Sequence, residues 1–218
     1  ERLTYEKTAV GFYLSGHLFD EVATEVRRFV RRQIDELADS RDPQMVAGIV
    51  SDLRVINGQR GKLAIFKLDD KSRTIEATAD EALINANKNL LKDDEMIIVS
   101  AKCQPDRFSG GLRLQVVQIW DLASARCRFG KHLQVVVNGR APDIARLLRE
   151  HPPRLEESES GTLERGMDIR LQVLREKDGM AVSAELHLGE GARFFPSDAA
   201  LAGWTAQAHE GQARIIYD

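Results

Sequence analysis

MVAGIVSDLRVI, residues 45–56, is a long β-biased run, and its reading decides the fold. Ala47, Ile49, Leu53 and Val55 fall on one face of a strand with period two. Gly48 sits where such a strand bends, because a residue without Cβ lets the backbone curl towards closure. The turn Asn57-Gly58-Gln59-Arg60-Gly61 leads into a second run, KLAIFKLDD, in which Ala64, Phe66 and Leu68 alternate with Leu63, Ile65 and Lys67. A second turn, Asp69-Asp70-Lys71-Ser72, precedes a third strand over residues 73–78. A helical insert is expected over residues 80–91, then an apolar strand, MIIVSAKC, over 96–103. A Gly-Gly loop at 104–111 separates it from a last strand at 112–120.

Three strands, a helix and two strands is the order of a five-stranded barrel of the oligonucleotide-binding (OB) type, whose face and two flanking loops typically hold single-stranded nucleic acid. Upstream, residues 1–44 read as a helical segment. Phe19, Val22, Val26, Phe29, Val30, Ile34 and Leu37 recur at helical spacing, Asp20 is a candidate N-cap, and residues 38–44 form a connector. Arg27, Arg28, Arg31 and Arg32 cluster on the polar side, as a solvated face or as phosphate contacts. Downstream, a short helical link at 122–128 leads to a strand at 132–137 and a helix at 142–151. A polar stretch at 152–166 reads as a flexible loop. A hairpin around Lys177-Asp178-Gly179, a helix capped by Ser197 and a strand at 213–217 complete the chain. Strand, helix, strand, strand, helix, strand is the ferredoxin-like order. The expected fold class is therefore α+β: N-terminal helices (1–44), an OB barrel (45–121) and a small βαββαβ-like α/β tail domain (122–218).

Hydrophobic residues at 43% and charged residues at 30% describe an ordinary globular protein. The net charge of −3 supplies no global attraction to nucleic acid or membrane. No apolar run approaches the roughly 20 residues that span a bilayer, and no signal-peptide pattern opens the chain, so a cytoplasmic protein without membrane partners is expected. The start at Glu1, inside a charged helical pattern, reads as a piece of a longer protein. Cys103 and Cys127 cannot build a metal site and read as reduced thiols.

Charge is uneven within the barrel. Residues 54–73 carry six bases against two acids, while residues 76–95 carry six acids against two bases. The first three strands and their loops thus form a positive edge, and the candidate nucleic-acid-binding residues are Arg54, Arg60, Lys62, Lys71 and Arg73, with Phe108 as a surface for a base. In the tail, the candidate partner-binding residues are Phe194, Phe195, Trp204 and Tyr217; the alternative for each is core packing. Histidines 17, 132, 151, 187 and 209 are scattered without ligand spacing, and no H-E-x-x-H, paired C-x-x-C, G-x-S-x-G or phosphate loop is present. Asp69-Asp70 reads as a turn signal, and neither catalytic residues nor a cofactor are expected.

Two segments resemble a known family. Glu6-Lys7-Thr8-Ala9-Val10-Gly11-Phe12-Tyr13-Leu14-Ser15-Gly16-His17 is similar to the E-K-x-x-x-G-x-Y-L-S-G-H-P signature of bacterial DNA polymerase III alpha subunits, with Leu18 in place of the proline. Asp106-Arg107-Phe108-Ser109-Gly110-Gly111-Leu112 resembles the F-S-G-G loop of that family's OB domain. Ala79-Asp80 and Ala101 depart from the pattern, where a Phe-Pro-like pair and a glycine are common. The resemblance implies a non-catalytic C-terminal region of a DNA-directed DNA polymerase, a nucleotidyltransferase acting in DNA replication. Its OB domain would contact single-stranded DNA template, and its tail would tether the polymerase to the clamp loader tau subunit and the rest of the holoenzyme. The family's first-loop bases match Arg60 and Lys62. The polymerase aspartates, the metal-binding phosphoesterase domain and the clamp-binding peptide would lie upstream. The competing expectation is a pure protein-interaction module without nucleic-acid contact.

Overall fold

The computed structural model describes residues 19–158 and 161–218, so the signature at residues 6–17 lies outside the described residues. The chain divides into two compact units, one ending at Asp121 and one beginning at Leu122.

In the first unit β1 (Ser40–Gly58), β2 (Gly61–Asp69), β3 (Thr74–Asp80), β4 (Met96–Pro105) and β5 (Leu112–Trp120) close into a barrel of order β1-β2-β3-β5-β4. The short helix α1 (Glu81–Ala86), capped by the Asp80 carboxylate accepting from the Leu83 amide, lies between β3 and β4. Closure rests on β1, which pairs antiparallel with β2 on one side and β4 on the other; Ile49 is opposite both Asp69 and Met96. Gly48 sits at this double junction. A Cβ there would stand 3.0 Å from the Asp69 amide nitrogen and 3.2 Å from the Leu68 Cβ, so the absence of a side chain is what admits the crowded strands. Phe66 and Leu68 of β2, Ile97 and Val99 of β4 and Leu114 of β5 fill the interior.

The alternation expected for β2 is observed, with Ala64, Phe66 and Leu68 buried. That expected for β1 is corrected. Its inward residues are Val46 and Val50, while Ala47 and Ile49 are buried on the opposite side, outside the barrel core. A bulge between Ser51 and Arg54, with Asp52 at φ 53°, then shifts the register. Beyond it Leu53 packs against the barrel core as expected, and Val55, opposite the inward Ala64, lies in the hairpin and is 50% exposed.

The upstream helix ends earlier than expected. Residues 19–26 are helical and contain Asp20 rather than being capped by it; a turn follows, then a 3-10 turn, Ile34–Glu36, and β1 already begins in the expected connector. A long-range interaction overrides the helical pattern. The Asp70 carboxylate, buried in the β2–β3 turn, accepts from the Ile34 amide at 2.9 Å, the Ser72 hydroxyl at 2.6 Å and the Ser72 and Arg73 amides. The Asp35 amide donates to the Ser72 hydroxyl. With the Ile34 and Asp35 amides tied to the turn, the Ile34 and Leu37 side chains join the barrel core. The helical insert shrinks likewise, from 80–91 to α1 alone.

The second unit contains α2 (Leu122–Phe129), β6 (His132–Asn138), α3 (Ile144–Glu150), β7 (Arg154–Ser158), β8 (Gly161–Arg165), β9 (Asp168–Lys177), β10 (Met180–His187), α4 (Asp198–Gln207) and β11 (Ala213–Ile216). Ser197 caps α4 as expected, accepting from the Ala200 amide. Its main sheet has the order β10-β9-β6-β11. The expected β-α-β-β-α-β succession is present in β6, α3, β9, β10, α4 and β11, with the β7–β8 hairpin inserted. The sheet is not ferredoxin-like, however: β6 and β9 are direct parallel neighbours, so the β-α-β unit is not split by a further strand. The cause is apolar content. β9 buries Ile169 and Leu171 in the core and takes the interior position, whereas β10 is exposed along its whole length and takes the edge. The expected loop at 152–166 is also corrected, because β7 and β8 pair antiparallel from Arg154 opposite Arg165 to Ser158 opposite Gly161. Backbone ladders and the Arg165–Glu156 ion pair at 3.0 Å hold a hairpin that polar composition concealed. Arg126, buried, donates to the Pro196 carbonyl and the Asp198 carboxylate, fixing the approach to α4.

Asp70→Ala removes four acceptor contacts at a buried site and is expected to cost about 2–4 kcal/mol of first-unit stability, read as a lower denaturation midpoint. His132, buried on β6, has its pKa pushed below the ordinary 6.5 first by burial and then by the Arg170 charge. The unfolded chain then takes up a proton that the folded chain refuses, so this contribution is complete above about pH 6.5 and declines as the pH falls below it. Thermal scans across pH 5–8 should show second-unit stability falling on the acid side, and His132→Asn should flatten that dependence.

Candidate nucleic-acid interface

Strand direction decides which candidate residues share an end of the barrel. Because β3 runs parallel to β5, with Glu76 opposite Arg113, the β4–β5 loop and the β2–β3 turn lie at one end. The β1–β2 turn lies at the other, one β2 length away, about 25 Å at the usual rise per residue. The six candidates therefore form two groups. Arg54, Arg60 and Lys62 belong to the β1–β2 hairpin; Lys71, Arg73 and Phe108 belong to the opposite end.

The hairpin group is held firmly. Gly61 has φ 105° and closes the turn opposite Gly58, and a Cβ on it would strike the Glu81 carboxylate. That carboxylate accepts from the Lys62 amide at 3.2 Å, tying the turn to the first residue of α1. Arg54, Arg60 and Lys62 are exposed and make no ion pair among the described residues. They are three exposed cations on a hydrogen-bonded hairpin.

At the opposite end Phe108 is 96% exposed. Its loop is ordered by Asp106, whose carboxylate accepts from the Phe108 amide at 3.2 Å, the Ser109 amide at 3.1 Å and the Ser109 hydroxyl at 2.6 Å. The Ser109 hydroxyl, with the Phe108 amide next, holds the Asp106 carboxyl below the usual carboxylate range. Gly110 at φ 72° lets the chain return, closed by the Asp106 amide donating to the Gly111 carbonyl at 2.8 Å. Arg73 is exposed without an ion-pair partner among the described residues, whereas Lys71 contacts Asp20 at 2.5 Å and is partly spent within the chain. Asp69 accepts from the Lys71 amide, so Asp69-Asp70 is a structural turn, as the sequence suggests.

Between the groups the outward row of the sheet runs Arg54, Ile65, Thr78, Gln115, with Lys67, Glu76 and Arg113 in the next row. Lys67 is bonded to Asp52 at 2.7 Å, and Arg113 stands 3.9 Å from Glu76. Arg107 and Arg113 were missed by the count of charges along the first three strands. Adjacency to Phe108 and the expected alternation of the fifth strand were the signals available. The tail candidates fare differently. Phe194 and Trp204 are fully buried, their rings 6.0 Å apart, and Phe195 is buried beneath the Arg154 guanidinium at 4.0 Å. Phe194 and Trp204 belong to the tail core, and Phe195 is buried beside it. Tyr217 is half-buried beyond β11.

A family model described as an OB-fold nucleic acid binding domain matches residues 45–122. The chain is 41% identical over 136 residues to the DNA polymerase III subunit alpha of Pseudomonas aeruginosa, covering 62% of the chain and 12% of that protein. It is 36% identical to that of Neisseria meningitidis serogroup B, over 68% of the chain and 13% of the relative. The match to that of Escherichia coli K12 is 28% identical over 98% of the chain and 18% of the relative. The chain thus spans 12–18% of the length of these relatives. No helix among the described residues is long and apolar enough to cross a membrane.

Asp106→Ala should free the Phe108 loop without opening the barrel. Amide exchange at residues 108–110 should quicken by about tenfold, while the denaturation midpoint of the first unit stays in place.

Proposed function

The chain is homologous to part of the DNA polymerase III alpha subunit, and from that premise we propose that its barrel grips single-stranded DNA template while its tail tethers the polymerase to the clamp loader tau subunit. The barrel would work without catalysis of its own. Phosphates would meet Arg54, Arg60 and Lys62 at one end and Arg73 and Lys71 at the other, and a base would stack on Phe108. The observation that carries this reading is a 96% exposed aromatic ring held on a hydrogen-bonded loop of the same barrel as the unpaired cations. An exposed phenyl on a disordered loop would be incidental; one fixed by three hydrogen bonds to Asp106 is ready to accept a base at little ordering cost.

Binding of this kind is salt-sensitive. Each phosphate neutralised on a single strand contributes about −0.7 to the slope of log affinity against log salt. A fluorescence titration of labelled oligothymidylate should show weak binding at low salt. Arg60→Ala/Lys62→Ala should reduce the slope by about 1.4, and Phe108→Ala should weaken binding with the slope unchanged. Absence of binding at low salt, or equal affinity in all variants, would leave the barrel as a protein-interaction module. The tail's role is tested separately, by measuring tau binding to the whole chain.

A further inference from the structure

β10 carries a feature that the barrel does not explain. Met180, Val182 and Leu186 are 68, 59 and 51% exposed, and with Ala184 they lie on one face of the strand. That face is continuous with the core, since Leu186 is opposite the buried Leu171 and Ala184 is opposite Val173, which packs against the core cluster. β10 is the end strand of its sheet. Natural edges of this length are guarded by prolines, lysines or bulges. β10 has no proline and no lysine, and its register with β9 is unbroken over eight residues.

The ladder shows which backbone groups are unused. The Leu188 amide donates to the Ile169 carbonyl, so the even-numbered residues of β10 turn their amides and carbonyls towards β9. Ala181, Ser183 and Glu185 turn theirs outward. On the apolar face the neighbour of Val182 is Arg175, exposed and without an ion-pair partner among the described residues. On the other face Glu185 is already balanced by Arg170 at 3.4 Å and by His187. The strand therefore offers unused hydrogen bonds, an apolar row and one unanswered positive charge.

We infer that β10 is the docking edge of the tail, and that its occupant is an extended segment of a partner protein. The segment would add a fifth strand, set alternate apolar side chains over Val182, Ala184 and Leu186, and bring a carboxylate to Arg175. This rests on the reading of the tail as a tether, and it moves the contact from Phe194, Phe195 and Trp204, which are buried, to a strand that is not.

The test uses the whole chain and purified tau subunit. Ser183→Pro removes an outward-facing amide without touching the β9 ladder. Val182→Lys/Leu186→Lys changes side chains that are more than half exposed, and amide protection of β6 and β9 reports whether the fold is kept. Each should weaken tau binding by about tenfold or more, with oligothymidylate binding and the protection of β6 and β9 amides unchanged. Tau should also slow amide exchange at Ala181, Ser183 and Glu185. Unchanged tau affinity in both variants overturns the proposal while leaving the tether intact. So does protection of those three amides in a dimer of the chain alone, which would make a second copy the occupant. Failure of the unmodified chain to bind tau overturns the tether and this proposal together.

Discussion

The first unit depends on one strand being shared by two others at a single glycine. A five-stranded barrel needs its first strand to leave one partner and join the next, and β1 does so around Gly48, beside Ile49, which is opposite both Asp69 and Met96. The neighbouring backbone stands close enough that even one methyl group would crowd it. The consequences spread from that point. With β1 passing from β4 to β2 there, β3 and β5 meet in parallel and the cylinder closes. The bulge at Ser51–Arg54 then sends the far end of β1 out with β2 as a hairpin bearing Arg54, Arg60 and Lys62. Asp70, at the end of β2, ties the incoming chain to the same junction through the Ile34 amide.

Where residues obey local rules, the fold was legible. The alternation of Ala64, Phe66 and Leu68, the crowded backbone at Gly48, the Asp178-Gly179 hairpin and the Ser197 cap each follow from chemistry within a few residues, and each is present. The misreadings have causes at longer range. Ile34 and Leu37 have helical spacing, yet Asp70, 36 residues away, captures the Ile34 amide and the spacing serves a 3-10 turn instead. The β1 face was inverted at Ala47 and Ile49, ahead of the bulge, because residues 46–50 are buried on both faces and period two cannot choose between them. The β7–β8 hairpin was hidden because a two-stranded ladder of charged residues needs no apolar alternation.

The candidate site was legible in a different way. Basic residues gathered in sequence, but which of them remain available depends on partners far away along the chain. Lys71 and Lys67 are engaged by Asp20 and Asp52, residues that belong to other elements. Arg54, Arg60, Lys62 and Arg73 are exposed with no ion pair among the described residues. In the tail, aromatic residues near the end of the chain looked like anchors. A small domain with few large side chains places them in its centre first, because a buried Trp or Phe removes the most apolar surface from water. What remains at the surface is the plainer Met180, Val182 and Leu186, which sequence pattern reads as an ordinary strand.

Both units show the same division between a rigid backbone and an uncovered apolar group, and the two cases weigh differently. Phe108 is a single ring at a loop tip, and one exposed apolar side chain is common on any surface. Its significance comes from the order imposed by Asp106, which removes the entropy that a floppy loop would lose on meeting a base. The β10 row is the reverse. It extends the tail's own core to the sheet edge, beside backbone groups that face away from β9. A lone ring can be left exposed at small cost. An unguarded edge carrying a row of apolar side chains invites pairing with any extended chain, so a protein that keeps one gains most when a particular partner covers it.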